Sequence, residues 1–169
     1  MPSETQTIAY YLTDERVISI LIVAALAVLA ARKKWRAATE LALAFGLARI
    51  ASVALKHALA VPRPAGALFD ASGFSFPSGH AAVAAALAIL LYAVAQTHLC
   101  SRGARFLVDF LLLLAIFLVA ASRLWFGVHA LPDVLAGTVL GALAGLAALA
   151  VGRFLARRSQ LFHLPPGRC

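Results

Sequence analysis

The chain has 169 residues, 63% of them hydrophobic and only 13% charged, with a formal charge of +8. Soluble globular domains carry about 25% charged residues, so a water-soluble enzyme or nucleic-acid-binding module is excluded. In a membrane protein such positive charge gathers in cytoplasmic loops instead. The length suits a single domain over residues 1–169, with no internal repeat or linker.

Five apolar runs follow in chain order. The first, about 15–31, is not a signal peptide: Glu4, Asp14 and Glu15 precede it where a basic segment would stand, and Arg32-Lys33-Lys34 follows. It reads as a retained span with its N-terminus outside. The others cover about 37–55, 81–97, 106–122 and 132–151. A crossing takes roughly 20 residues, so each run spans a bilayer only with its flanks. The expected fold is all-α, a polytopic membrane bundle of about five to six transmembrane helices.

Alternating the spans from an outside N-terminus puts Arg32, Lys33, Lys34, Arg36, Arg102, Arg105, Arg153, Arg157, Arg158 and Arg168 inside, ten of the fifteen Lys and Arg residues. That asymmetry obeys the positive-inside rule and favours this topology. Cys100 and Cys169 then face the cytoplasm, where no disulfide is expected. Trp35 and Trp125 fall at opposite interfaces. The segment PSETQTIAYYLTDERV reads as a surface helix, with Ser3 and Gln6 as a capping box and Tyr10 and Tyr11 at the interface. Asp109 is expected to pair with Arg105, and Glu40 with Arg36.

Three outward basic residues break the orientation pattern: Lys56, Arg63 and Arg123. Singly they could snorkel to lipid headgroups. Together with two histidines on the same side they suggest a site. Ser78 is a good N-cap for a helix beginning at His80, whose first N–H groups form an anion-binding end, and Gly79 permits close backbone approach. Pro132 suits the first helical position of the last span, so His129 arrives just ahead of another helix N-terminus. Asp133 follows His129 by four residues and can orient its ring through one nitrogen, besides complementing the helix dipole. Fixed cations, two histidines and one carboxylate suit phosphoryl transfer, one histidine attacking phosphorus and the other protonating the leaving oxygen. No carboxylate cluster suits magnesium and no Cys/His spacing suits zinc, so neither a metal nor another cofactor is expected. These residues do not by themselves choose the attacking histidine, although Asp133 favours His129. Lys56, Arg63, His80, Arg123 and His129 should surround one cavity where the outer tips of spans two to five converge.

The stretches KHALAVPRP (Lys56 to Pro64), PSGH (Pro77 to His80) and SRLWFGVHALPD (Ser122 to Asp133) resemble the three signatures of the type-2 phosphatidic-acid phosphatase family. Every position and both internal spacings are met, in order, over about residues 45–150. The resemblance implies that Lys56, Arg63 and Arg123 bind phosphate and that Ser78 and Gly79 donate hydrogen bonds to it. It further implies His129 as nucleophile, His80 as general acid and Asp133 as the partner of His129. Vanadium haloperoxidases share this pocket but are soluble. Many bacterial members of the family have six helices, one more than the five counted here.

The expected substrate is a lipid phosphate or diphosphate entering from the bilayer at the extracytoplasmic face, past Phe69, Phe74, Phe76, Trp125 and Phe126. Undecaprenyl diphosphate, the cell-wall carrier lipid, leads; phosphatidylglycerophosphate, phosphatidate and lipid A phosphates are the alternatives. The short linker from Pro64 to Phe74 offers no lid to select a headgroup. Membrane lipids are the expected surroundings, nucleic acid is not a partner, and the sequence leaves the oligomeric state open. A small anion or lipid transporter is the reading of another class, but it would want polar residues along a midplane path, and here they gather at one end. Arg49, seven residues before Lys56, shares that helix face about 10 Å deeper, where it either lines the pocket floor or bonds bundle carbonyls, the structural role being favoured.

Overall fold

The computed structural model describes residue 4, residues 15–69 and residues 71–159. The surface helix expected near the N-terminus, like Cys169, lies outside the described residues. Among the described residues these helices follow one another: α1 (Glu15–Ala31), α2 (Trp35–Leu59), α3 (Gly79–His98), α4 (Arg102–Trp125) and α5 (Leu131–Ser159). No strand occurs among the described residues. The helices α2 to α5 are long and apolar enough to cross a membrane. α1, with 17 residues, is at the short end of what can cross. α1 coincides with the apolar run that announced it, while α2 to α5 outrun theirs, because flanking residues continue the backbone hydrogen bonding into the interfaces.

The bundle is organised around α3, which packs against α5, α2 and α4, while α1 leans on α2. Its core is built from small side chains: Ala44 and Ala48 of α2, Ala82, Val83 and Ala86 of α3, and Ala144 and Ala148 of α5. Inside a bilayer apolar burial gives little drive for helix association, so close van der Waals packing must do it. The decisive device is a glycine at every fourth position of α5. A Cβ on Gly137 would collide with the Ser78 carbonyl, and one on Gly141 with the Ala82 carbonyl. At Gly145 it would stand 2.9 Å from the Ala86 carbonyl oxygen. Large apolar side chains point outward, and α4 turns Phe106, Leu113 and Phe117 to the lipid.

Trp35 and Trp125 are exposed at opposite ends of the bundle, as an aromatic belt requires. Arg36 pairs with Glu40 at 2.8 Å, as expected. Asp109 does not pair with Arg105. Its two oxygens accept from Gln96 Nε2 at 3.2 Å, while Arg105 Nε donates to the Leu99 carbonyl at 2.6 Å. Packing of α4 on α3 brings Gln96 to the carboxylate, and the loop carbonyl draws the arginine away.

Candidate active site

α2 ends because Ala60 adopts a left-handed conformation, its N–H bonding back to the Lys56 carbonyl at 2.9 Å. Lys56 is thereby in the last helical turn, and its Nζ donates to the carbonyls of Phe74 (2.7 Å) and Ser75 (3.2 Å). The returning loop is pinned again by Ser75 N–H on the Val61 carbonyl at 2.9 Å. Arg63 spreads its guanidinium over three carbonyls, those of Gly73 (3.1 Å), Ser72 (3.0 Å) and Val128 (2.8 Å). Val128 immediately precedes His129, so Arg63 ties the loop before α3 to the loop before α5.

Gly127 makes the α4–α5 turn possible. Its φ of +68° suits glycine, and a Cβ there would lie 3.2 Å from Ala67 Cα. The Leu68 N–H reaches the Phe126 carbonyl at 3.0 Å, and the Phe69 and Phe126 rings meet edge to face at 5.4 Å. Arg123 is 2% exposed. Its Nε donates to Ser122 Oγ at 3.2 Å, and its guanidinium lies 5.1 Å from the centre of the Phe126 ring.

Ser78 stands at the N-cap of α3 in an extended conformation, but its side chain caps nothing. Its Oγ is fully buried with no hydrogen-bond partner among the described residues. A buried hydroxyl left this way costs about 1–3 kcal/mol, which an incoming acceptor or donor would recover. The Ser78 N–H goes to the Asp133 carbonyl at 2.8 Å. The following N–H groups open α3 and have no partner within the helix.

His129 and Asp133 are both buried, with Nδ1 and Oδ2 3.4 Å apart. That separation is too long and poorly aligned for a hydrogen bond, and Nδ1 has no partner among the described residues. Asp133 Oδ2 instead accepts from the Ala130 N–H at 2.9 Å, which holds the carboxylate beside the ring. The pKa of His129 is lowered from 6.5 to about 4, first by burial and then by the charges of Lys56 and Arg63; Asp133 opposes the shift. His129 is thus a neutral imidazole whose Nδ1 faces a carboxylate and whose Nε2 is left for other work.

The tips of α2 to α5 therefore meet at one end of the bundle and bring Lys56, Arg63, Ser78, Arg123, His129 and Asp133 together. A crevice running inward from this end is lined by Gly79 and His80 together with Ile18, Ser19, Phe45, Arg49 and Val83. Of the expected catalytic and phosphate-binding set, Gly79 and His80 line this crevice; the others stand outside it. Sequence reading missed the loop carbonyls that hold Lys56 and Arg63, for backbone acceptors leave no mark in a residue pattern. It also missed the glycines of α5, although their four-residue spacing was there to be read.

A family model of the PAP2 superfamily matches residues 37–157, which include every one of these site residues. The chain belongs to the PAP2 superfamily. The bundle resembles the crystal structure of a transmembrane PAP2 type phosphatidylglycerolphosphate phosphatase from Bacillus subtilis, at 30% identity and a TM-score of 0.73, over 89% of this chain and 76% of that one. It also resembles LpxE from Aquifex aeolicus, at 28% identity and a TM-score of 0.66, over 86% and 84% of the two chains. No curated protein matches the sequence significantly. The molecule is an integral membrane lipid phosphatase of the PAP2 type.

Proposed function

We propose that this PAP2 phosphatase, one membrane-embedded domain over residues 1–169, hydrolyses a polyprenyl diphosphate, undecaprenyl diphosphate foremost, at the extracytoplasmic face of a bacterial inner membrane. The observation that carries the phosphatase chemistry is His129: a buried neutral imidazole beside a buried carboxylate, close enough to Lys56 and Arg63 for their charge to depress its pKa. Such a ring attacks phosphorus through Nε2 while Asp133 stabilises the cationic ring that forms. Lys56, Arg63 and Arg123 hold the phosphoryl oxygens, and Ser78 Oγ and the Gly79 N–H donate to them. His80 protonates the departing oxygen, and then takes a proton from the water that cleaves the phosphohistidine.

The route needs no metal ion in this reading, because three fixed cations supply the charge that magnesium supplies in other phosphoryl-transfer sites. Among the described residues no three His, Cys, Asp or Glu side chains are grouped to hold an ion. The outward orientation is supported by the basic residues gathered at the opposite end. Phosphatidylglycerophosphate is the second substrate reading, favoured by the likeness to the Bacillus subtilis enzyme.

Phosphate release by purified protein in detergent with EDTA, over matched polyprenyl diphosphate, phosphatidylglycerophosphate and phosphatidate, tests the reading. The diphosphate should give the highest kcat/KM. No release from any of them would remove the enzyme reading in favour of a transporter.

A further inference from the structure

The crevice beside the site contains a cation that the phosphatase chemistry above does not use. Arg49 lines it with His80, Gly79 and Ser19, and Ile18, Phe45 and Val83 supply its apolar walls. Arg49 precedes Lys56 by seven residues on α2, so it lies about 10 Å nearer the bilayer centre. A partly buried cation at such depth in a membrane helix is costly and is a functional candidate by default. His80 is common to this crevice and to the proposed chemistry, as the acid that faces the leaving group. With His80 as the acid, the crevice adjoins the place of the leaving group. Its lining extends from His80 at the tip of α3 to Val83, and to Arg49 and Phe45 further down α2.

We propose that Arg49 binds the inner phosphate of a lipid diphosphate, the one joined to the lipid tail, and so makes the enzyme favour diphosphates over monophosphates. The inference rests on the assignment of His129 as nucleophile and His80 as acid. His129 Nε2 forms a bond to the outer phosphorus as the bond from that phosphorus to the bridging oxygen breaks. The bridging oxygen leaves with the electron pair on the lipid monophosphate, which takes a proton from His80. Water then attacks the phosphohistidine, releases inorganic phosphate and returns a proton to His80. In the first step negative charge grows on the inner phosphate, at the depth of Arg49. A guanidinium there stabilises the departing group through charge-assisted hydrogen bonds. A lipid monophosphate has no inner phosphate and expels an alkoxide, so Arg49 has nothing to grip.

The test compares farnesyl diphosphate with farnesyl monophosphate, which share one tail, on wild type, Arg49→Gln and Arg49→Lys in the same detergent. In Arg49→Gln the ratio of kcat/KM for diphosphate over monophosphate should fall about 10- to 100-fold, the loss of one charge-assisted hydrogen bond. Arg49→Lys should restore part of it, and product inhibition by farnesyl monophosphate should weaken in Arg49→Gln. A purely structural Arg49 would lower both rates together and leave the ratio and the product inhibition unmoved, which overturns the proposal. Wild type that hydrolyses the monophosphate but not the diphosphate also overturns it, while leaving the phosphatase reading intact. Wild type that hydrolyses neither overturns both.

Discussion

The Ser78 N–H donates to the Asp133 carbonyl at 2.8 Å, joining the N-terminus of α3 to the first turn of α5. Gly137, one turn further on, lets the Ser78 carbonyl approach the α5 backbone where any Cβ would intrude. Two histidines far apart in sequence, His80 just after Ser78 and His129 just before Asp133, are thereby held at one end of the bundle. The same joint leaves Ser78 Oγ enclosed and unpartnered at the mouth of a helix whose dipole favours an anion.

The two histidines should fail differently. His129→Ala should abolish the phosphoenzyme, since among the described residues no other nucleophile is set beside a buried carboxylate. His80→Ala should slow its formation most for lipid monophosphates, whose alkoxide leaving group needs the proton, and least for diphosphates. Rapid-quench labelling with radioactive substrate would read both. Label carried on His80 would reverse the roles.

A depressed pKa has a sign that can be checked. His129 takes its proton near pH 4 in the folded protein and near 6.5 when unfolded. Below 6.5 the unfolded state binds more protons, so stability is full above that pH and is lost as pH falls toward 4, by roughly 3 kcal/mol in total. The Tm of wild type relative to His129→Gln should therefore drop between pH 6.5 and 4, and the nucleophile should stay mostly neutral until the pH nears 4. A flat difference in Tm would mean that the ring titrates normally.

Charge from the protein rather than from a metal predicts activity in EDTA and inhibition by vanadate, which adopts the five-coordinate geometry of the transition state. Arg123→Ala should lower turnover by about 10²–10³, the scale of one lost oxyanion donor. Arg123→Lys should recover only part, because an ammonium lacks the two-pronged grip of a guanidinium on phosphate. Activity lost in EDTA, regained with magnesium and indifferent to Arg123→Ala would refute this.

Gly141→Leu should separate α3 from α5, because the Ala82 carbonyl already occupies the space of a Cβ. A destabilisation of about 1–3 kcal/mol is expected from such overpacking, read as a lower Tm in detergent. Activity should fall with it, since the same interface sets His80 against the α5 end of the site. Gly46, whose Cβ would meet nothing within 4 Å, supplies the control: Gly46→Ala should keep both.

Hydropathy along the chain was enough to mark the five helices, because apolar length is a local sum that needs no knowledge of neighbours. The spacing of Lys56 and Arg63, the Pro77–His80 turn and the four residues from His129 to Asp133 were likewise legible, each being set within one short segment. What only the tertiary structure decided is who meets whom. Arg63 looks in sequence like a phosphate ligand, yet three of its donors already hold carbonyls on two loops. Asp133 reads as the hydrogen-bond partner of His129, yet its Oδ2 is held by the Ala130 N–H and stands 3.4 Å from the ring. Arg49 reads as one more buried charge until the packing of α1 and α3 against α2 puts it in a crevice with His80. Backbone acceptors and distant side chains carry no pattern along the chain, so their positions follow from how closely the glycines of α5 let the helices approach.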